Sequence, residues 1–92
     1  MKAYNFMFNT TVESKGITSS WNCIALVKKY KGAYKIKASI DRELEHYRNK
    51  TYIVNADNEY NAIKNHVINT FKEVSHIIKV DPNEIYITEI KL

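Results

Sequence analysis

Lys31-Gly32, set between the runs Trp21–Tyr30 and Ala33–Ile40, constrains the fold of this chain more than any other dipeptide in it. A two-residue hairpin loop needs positive φ, which glycine adopts without steric cost, so Tyr30 and Ala33 are expected to close a tight turn. Counting back from that turn pairs Lys29 with Tyr34, Val27 with Ile36, Ala25 with Ala38 and Cys23 with Ile40. This face is almost wholly apolar. The other face sets Lys28 opposite Lys35, Leu26 opposite Lys37 and Ile24 opposite Ser39. Slipping the register by one residue would exchange the two faces, so burial of the apolar set specifies the pairing. The hairpin therefore has one core face and one mixed face, basic near the tip and apolar at the root.

Residues 3–12 alternate in the same way, with Tyr4, Phe6, Phe8 and Val12 against Asn5, Met7, Asn9 and Thr11, which predicts a half-buried strand. Glu13–Ser20 reads as a loop, because SKG and TSS interrupt the alternation; its hydroxyls and Lys15 form a weak candidate anion site. After the hairpin, the charged stretch Asp41–Lys50 suits a short helical turn or an excursion, with Leu44 and Tyr47 facing inward. Thr51–Asn55 returns to strand character at or near a sheet edge. A helix is predicted from Ala56 or Asp57, with Asn55 or Asp57 as its cap. Its apolar stripe comprises Tyr60, Ile63, Val67, Phe71, Val74 and Ile78. The opposite side carries Lys64, Asn65, Asn69, Lys72 and Glu73. Asp81-Pro82-Asn83 ends that pattern and turns the chain, and Ile85–Leu92 forms a last strand suited to a central or parallel position beside the first.

The pattern as a whole predicts one compact α+β domain over residues 1–92. Its small, mostly antiparallel sheet has four or five strands with one long helix packed on one face, in the order β-β-β-(β)-α-β. Two glycines and one proline leave no room for glycine-rich phosphate loops or extended linkers. Cys23, the single cysteine, has no internal disulfide partner and lies in an apolar strand, as a buried thiol does. No apolar run reaches membrane-spanning length, and the opening MKAYNFMFNTTVE lacks the apolar core of a secretory signal, so a cytoplasmic location, a host's cytoplasm for a viral protein, is expected.

Motifs for chemistry do not emerge. The chain contains no GxGxxG, Walker loop, HExxH, paired-cysteine spacing or nucleophile elbow, so neither a metal nor a cofactor is expected and the protein is read as non-catalytic. Of His46, His66 and His76, the pair His66 and Thr70 sits four apart on the helix with Glu73 further along. A histidine and a carboxylate can share general-base work beside a substrate, yet solvent-facing structural roles explain these residues with fewer assumptions. Asp41, Glu43 and Glu45 alternate with Arg42, His46 and Arg48 and read as a compensated charged surface.

The basic hairpin is the candidate binding site. Lys28, Lys29, Lys31, Lys35 and Lys37 fall within ten residues that contain no acid, and Tyr30 lies among them. The overall charge of +4 is modest, so their position matters more than their number. Lysines and a tyrosine anchor suit an acidic groove on another protein or protein complex. Lysines that neutralise phosphates and a tyrosine that stacks on a base suit RNA or single-stranded DNA. Addition of strands at exposed sheet edges would instead give a homodimer. The leading expectation is a small inhibitor or regulatory factor of phage type that acts on a host protein complex, in keeping with a compact lone domain and an uncommon Lys, Asn, Ile and Tyr balance. The alternative is a nucleic-acid-binding module.

Overall fold

Alternation at Tyr4, Phe6 and Phe8 produces the first strand, β1 (Lys2–Val12), and the sheet is assembled on both sides of it. The computed structural model describes residues 1–38, 51–74 and 76–91. The other strands are β2 (Ile17–Tyr30), β3 (Ala33–Ala38), β4 (Tyr52–Val54), β5 (Ile78–Val80) and β6 (Tyr86–Ile90). One helix, α1 (Glu59–Val74), lies between β4 and β5. The order across the sheet is β4-β3-β2-β1, with β5 and β6 both on the outer side of β1, so six strands occupy five positions. Each described pairing is antiparallel, and the helix covers one face.

The central hairpin forms in the register that its turn dictates. Lys31 has φ 47° and Gly32 φ 79°, the two positive values of a type I′ loop, whose twist matches the flanking strands. Lys29 pairs with Tyr34, Lys28 with Lys35, Val27 with Ile36, Leu26 with Lys37 and Ala25 with Ala38. The anticipated pairs of Cys23 with Ile40 and Ile24 with Ser39 involve positions outside the described residues, as does the whole stretch 41–50.

Four local features depart from the sequence pattern. The first connection is not a loop over 13–20 but a single 3-10 turn at Glu13–Lys15, closed by Gly16 at φ 61°, whose N–H donates to the Glu13 carbonyl at 3.2 Å. Thr18, Ser19 and Ser20 are strand residues paired with Thr11, Thr10 and Asn9, because the β1 backbone needs ladder partners whatever side chains face it. The helix starts later than its charges suggest. Asn58, rather than Asn55 or Asp57, caps it, accepting the Asn61 N–H on Oδ1 at 2.9 Å.

At the other end of α1, Ile78 continues the helical spacing by coincidence. It belongs to β5, where it sits opposite Val12 on the free edge of β1. Finally, Asp81–Ile85 does not reverse the chain. β5 meets Thr10–Val12 and β6 continues in the same direction along Ala3–Met7, so the segment between them bulges off one edge and returns to it. Pro82 has no N–H for the ladder, and the 3-10 turn Pro82–Glu84 is held by the Asn83 N–H donating to Asp81 Oδ1 at 2.9 Å. β6 is accordingly beside β1, but antiparallel and at the edge.

The core lies between α1 and the inner sheet face. Tyr4, Phe6, Phe8, Cys23, Ala25, Val27, Tyr34, Ile36 and Ala38 meet Ala62, Ile63, Val67 and Phe71. Phe8 and Trp21, directly cross-strand, stack with ring centroids 5.8 Å apart, and Phe71 abuts both edge-on at 5.6 and 5.2 Å. Each such aromatic contact adds about 0.5–1.5 kcal/mol beyond area burial. The indole Nε1–H of Trp21 donates to Thr10 Oγ1 at 2.8 Å, which gives the hydroxyl of this buried residue a partner.

Candidate interaction surface

Strand periodicity that sends one set of side chains under α1 sends the alternate set to the opposite side of the sheet. That outer face carries Ala3, Asn5, Met7, Asn9 and Thr11 of β1. β2 adds Asn22, Ile24, Leu26, Lys28 and Tyr30, and β3 adds Lys35 and Lys37. Ile53, Tyr86, Thr88 and Ile90 complete it from β4 and β6, and Lys79 from β5. Among the described strands, Glu89 is the sole carboxylate, and it lies in register with Tyr4 on the helix side. The outer face thus has four lysines and no acidic strand residue.

Its apolar residues are equally one-sided. Ile53 and Tyr86 are each 62% exposed, Ile24 51%, Met7 46% and Leu26 39%. Laid out on the register, Ile53, Leu26, Ile24, Met7 and Tyr86 form an oblique stripe that runs from the hairpin end of the sheet toward the β5–β6 bulge. A shallow depression of about 310 Å³ lies at the bulge end, lined by Met7, Asn9, Asn22, Glu84 and Tyr86 among others. Lys28, Lys35 and Lys37 stand at the opposite end. Scattered apolar exposure is ordinary for a small domain, but five large side chains aligned on one face that no described element covers make it the candidate interaction surface.

Four of the six candidate residues at the hairpin share this face. Lys28, Lys35 and Lys37 join Tyr30 there, while Lys31 occupies the turn and Lys29 lies on the helix-side register opposite Tyr34. Lys35 Nζ sits 3.9 Å from the centroid of the Tyr30 ring and Lys31 Nζ 5.3 Å from it, so the tyrosine is a platform already engaged by cations. Lys28 directly opposes Lys35, and like charges so placed weaken a sheet by a few tenths of a kcal/mol. An anionic partner would turn that cost into attraction.

The histidines take other places. His66 is buried against Tyr52, with ring centroids 4.9 Å apart, instead of facing solvent; Thr70 is buried with it. Burial lowers the His66 pKa from 6.5 to about 4, although the nearby Glu73 carboxylate pulls the other way. So weak a base is poorly matched to proton abstraction near neutral pH. His76 is exposed after the helix, and His46 lies outside the described residues. Burial also pushes the Tyr4 phenol up to about 12, helped by Glu59 and Glu89, and raises that of Tyr52. Cys23 is buried, and no group of three potential metal ligands occurs among the described residues.

No protein family, curated protein or solved structure matches this chain. Among the described residues no helix is long and apolar enough to cross a membrane. Ile53, Tyr86 and Lys79 had no individual signal in the sequence, because each joins the surface only through pairings between distant strands, whereas Met7 was legible only as part of the polar side of the first strand. Ile24 and Leu26 were legible as the apolar root of the hairpin face.

Proposed function

We propose that this protein is a non-catalytic interaction factor whose outer sheet face binds an acidic protein, as a small inhibitor or regulatory factor of phage type would. The observation that carries this reading is the segregation on that face: four lysines, no acidic residue among the described strands and an exposed stripe of Ile53, Leu26, Ile24, Met7 and Tyr86. Lysines steer and orient an acidic partner, and desolvation of the apolar stripe supplies the affinity.

Tyr30 among lysines favours a second reading, in which single-stranded nucleic acid lies along the hairpin. The stripe fits it less well, because bases stack on aromatic rings: Tyr86 offers one at the far end from Tyr30, but Ile53, Leu26, Ile24 and Met7 between them offer none. Recovery of partners from cytoplasmic extract on immobilised protein separates the two, with and without nuclease and beside a Lys28→Glu/Lys35→Glu/Lys37→Glu variant. The protein reading expects a stoichiometric partner that survives nuclease and binds the variant about tenfold or more weakly, equivalent to roughly 1.4 kcal/mol. Complete loss of retained material after nuclease, with strong salt dependence, would overturn it in favour of nucleic acid.

A further inference from the structure

The chemistry of the outer face specifies the kind of segment that covers it, given the protein-binding reading above. The stripe from Ile53 to Tyr86 crosses from β4 to β6 while descending from the Lys28 row to the Asn22 row. With strands about 4.8 Å apart and about 3.3 Å per residue, it is roughly 28 Å long. Its strongly exposed part is narrow: Lys35, Lys28 and Lys37 flank the upper end and Asn22, Asn5 and Thr88 lie beside the lower half, while Ala3 and Ile90, which continue the Leu26 row toward β6, are buried and half-buried.

These flanks discriminate among occupants. A strand added in register must reach unpaired backbone groups at an edge, but Leu26, Ile24 and Met7 belong to the interior strands β2 and β1. A second sheet laid over the whole face would bury Asn5, Asn22, Thr88 and the lysines together with the stripe, and each polar group left unmatched costs free energy. A single helix covers a narrow apolar line and leaves both flanks in contact with water. Among its described residues a second copy of this chain offers no suitable helix, because the outward side of α1 carries Lys64, Lys72 and Glu73 and is itself basic on balance. The lysines at the upper end call for carboxylates at one end of the incoming helix.

We propose that the partner seats an amphipathic helix of about 18 residues, at 1.5 Å rise each, obliquely across this face, with an apolar stripe along its length and acidic residues clustered at one end. It meets Ile53 and Leu26 where its acids meet Lys28, Lys35 and Lys37, and it ends against Tyr86 at the bulge.

The test is to pan a displayed library of random peptides of about that length, roughly five helical turns, against the intact protein. Counter-selection uses Leu26→Lys and, separately, Tyr86→Ala, two exposed sites where substitution leaves the core untouched. Expected are enriched peptides with apolar residues at three- and four-residue spacing and acids toward one end. They should gain helical circular dichroism on binding and lose at least tenfold in affinity to either variant. Acidic peptides that bind with alternating apolar residues and no gain of helix would overturn the helix while leaving the acidic-protein reading standing. Enrichment without acidic bias, or equal recovery on wild type and both variants, would overturn both. Displacement of the bound peptides by an oligothymidine at low concentration, with that oligonucleotide bound more tightly than any peptide, would assign the face to nucleic acid instead.

Discussion

Acidification should unlatch α1 from the β4 edge through one side chain, His66. Its ring is only 4% exposed and packs on Tyr52, and its pKa is held at about 4 in the fold against 6.5 in the unfolded chain. Between those values the unfolded chain binds the extra proton. The contribution of neutral, buried His66 is therefore intact above about pH 6.5 and is lost as pH falls toward 4. The full window corresponds to about 3 kcal/mol at 1.36 kcal/mol per pH unit, and the part lost between about pH 7.5 and pH 5 is about 2 kcal/mol. Urea titrations at those two pH values, on wild type and on His66→Gln, isolate the effect, because carboxylates and the other histidines contribute equally to both proteins. Wild type should lose about 2 kcal/mol more than the variant on acidification, and the His66 proton resonances should titrate near 4. A midpoint near 6.5, or equal losses in the two proteins, would refute the assignment of a buried, neutral imidazole.

Further outcomes follow from backbone and packing. Gly32→Ala should destabilise the protein by about 1–2 kcal/mol in thermal unfolding, a purely conformational cost, since a Cβ there meets no atom within 4 Å. Lys31→Gly should stabilise it by up to about 1 kcal/mol, because Lys31 now sits at positive φ. Asn58→Ala should cost about 1 kcal/mol in urea unfolding and Asn55→Ala much less, as the position of the helix cap requires. Trp21→Phe and Thr10→Val, each alone and together, should show a coupling of about 1 kcal/mol in a double-mutant cycle through the 2.8 Å hydrogen bond; additive losses would show that the bond contributes nothing.

What could be read from residues alone was what short-range geometry dictates. The Lys31-Gly32 turn sets the β2–β3 register by simple counting, and Tyr4, Phe6 and Phe8 declare their face because polar residues separate them. Thr18, Ser19 and Ser20 could not declare themselves as strand, since polar side chains on both faces give alternation nothing to contrast. Ile78 fell on the helical spacing and hid β5. His66 and Thr70 extend a row of four-residue steps from Ala62 beside the Ile63, Val67 and Phe71 row, but their polarity disguised that second buried line. At the hairpin, Tyr30, Lys28, Lys35 and Lys37 were recoverable as one face from register. The remainder of the surface was not, because nothing local tells Ile53 or Tyr86 that Lys35 or Met7 will be its neighbour.

The pairing of Ala3 with Ile90 also has a consequence in time. β1 meets β2 across a four-residue connection, but its other edge must wait for strands synthesised more than sixty residues later. Closing so long a loop is entropically slow, whereas hairpins form in microseconds. During synthesis and refolding, β1 therefore carries a bare row of backbone donors and acceptors on an aromatic-rich strand, and the last ladder to form is the one that protects it. Nascent or dilute-denaturant samples should be most prone to strand-mediated aggregation in that interval, and a peptide copy of β6 added in excess should suppress it.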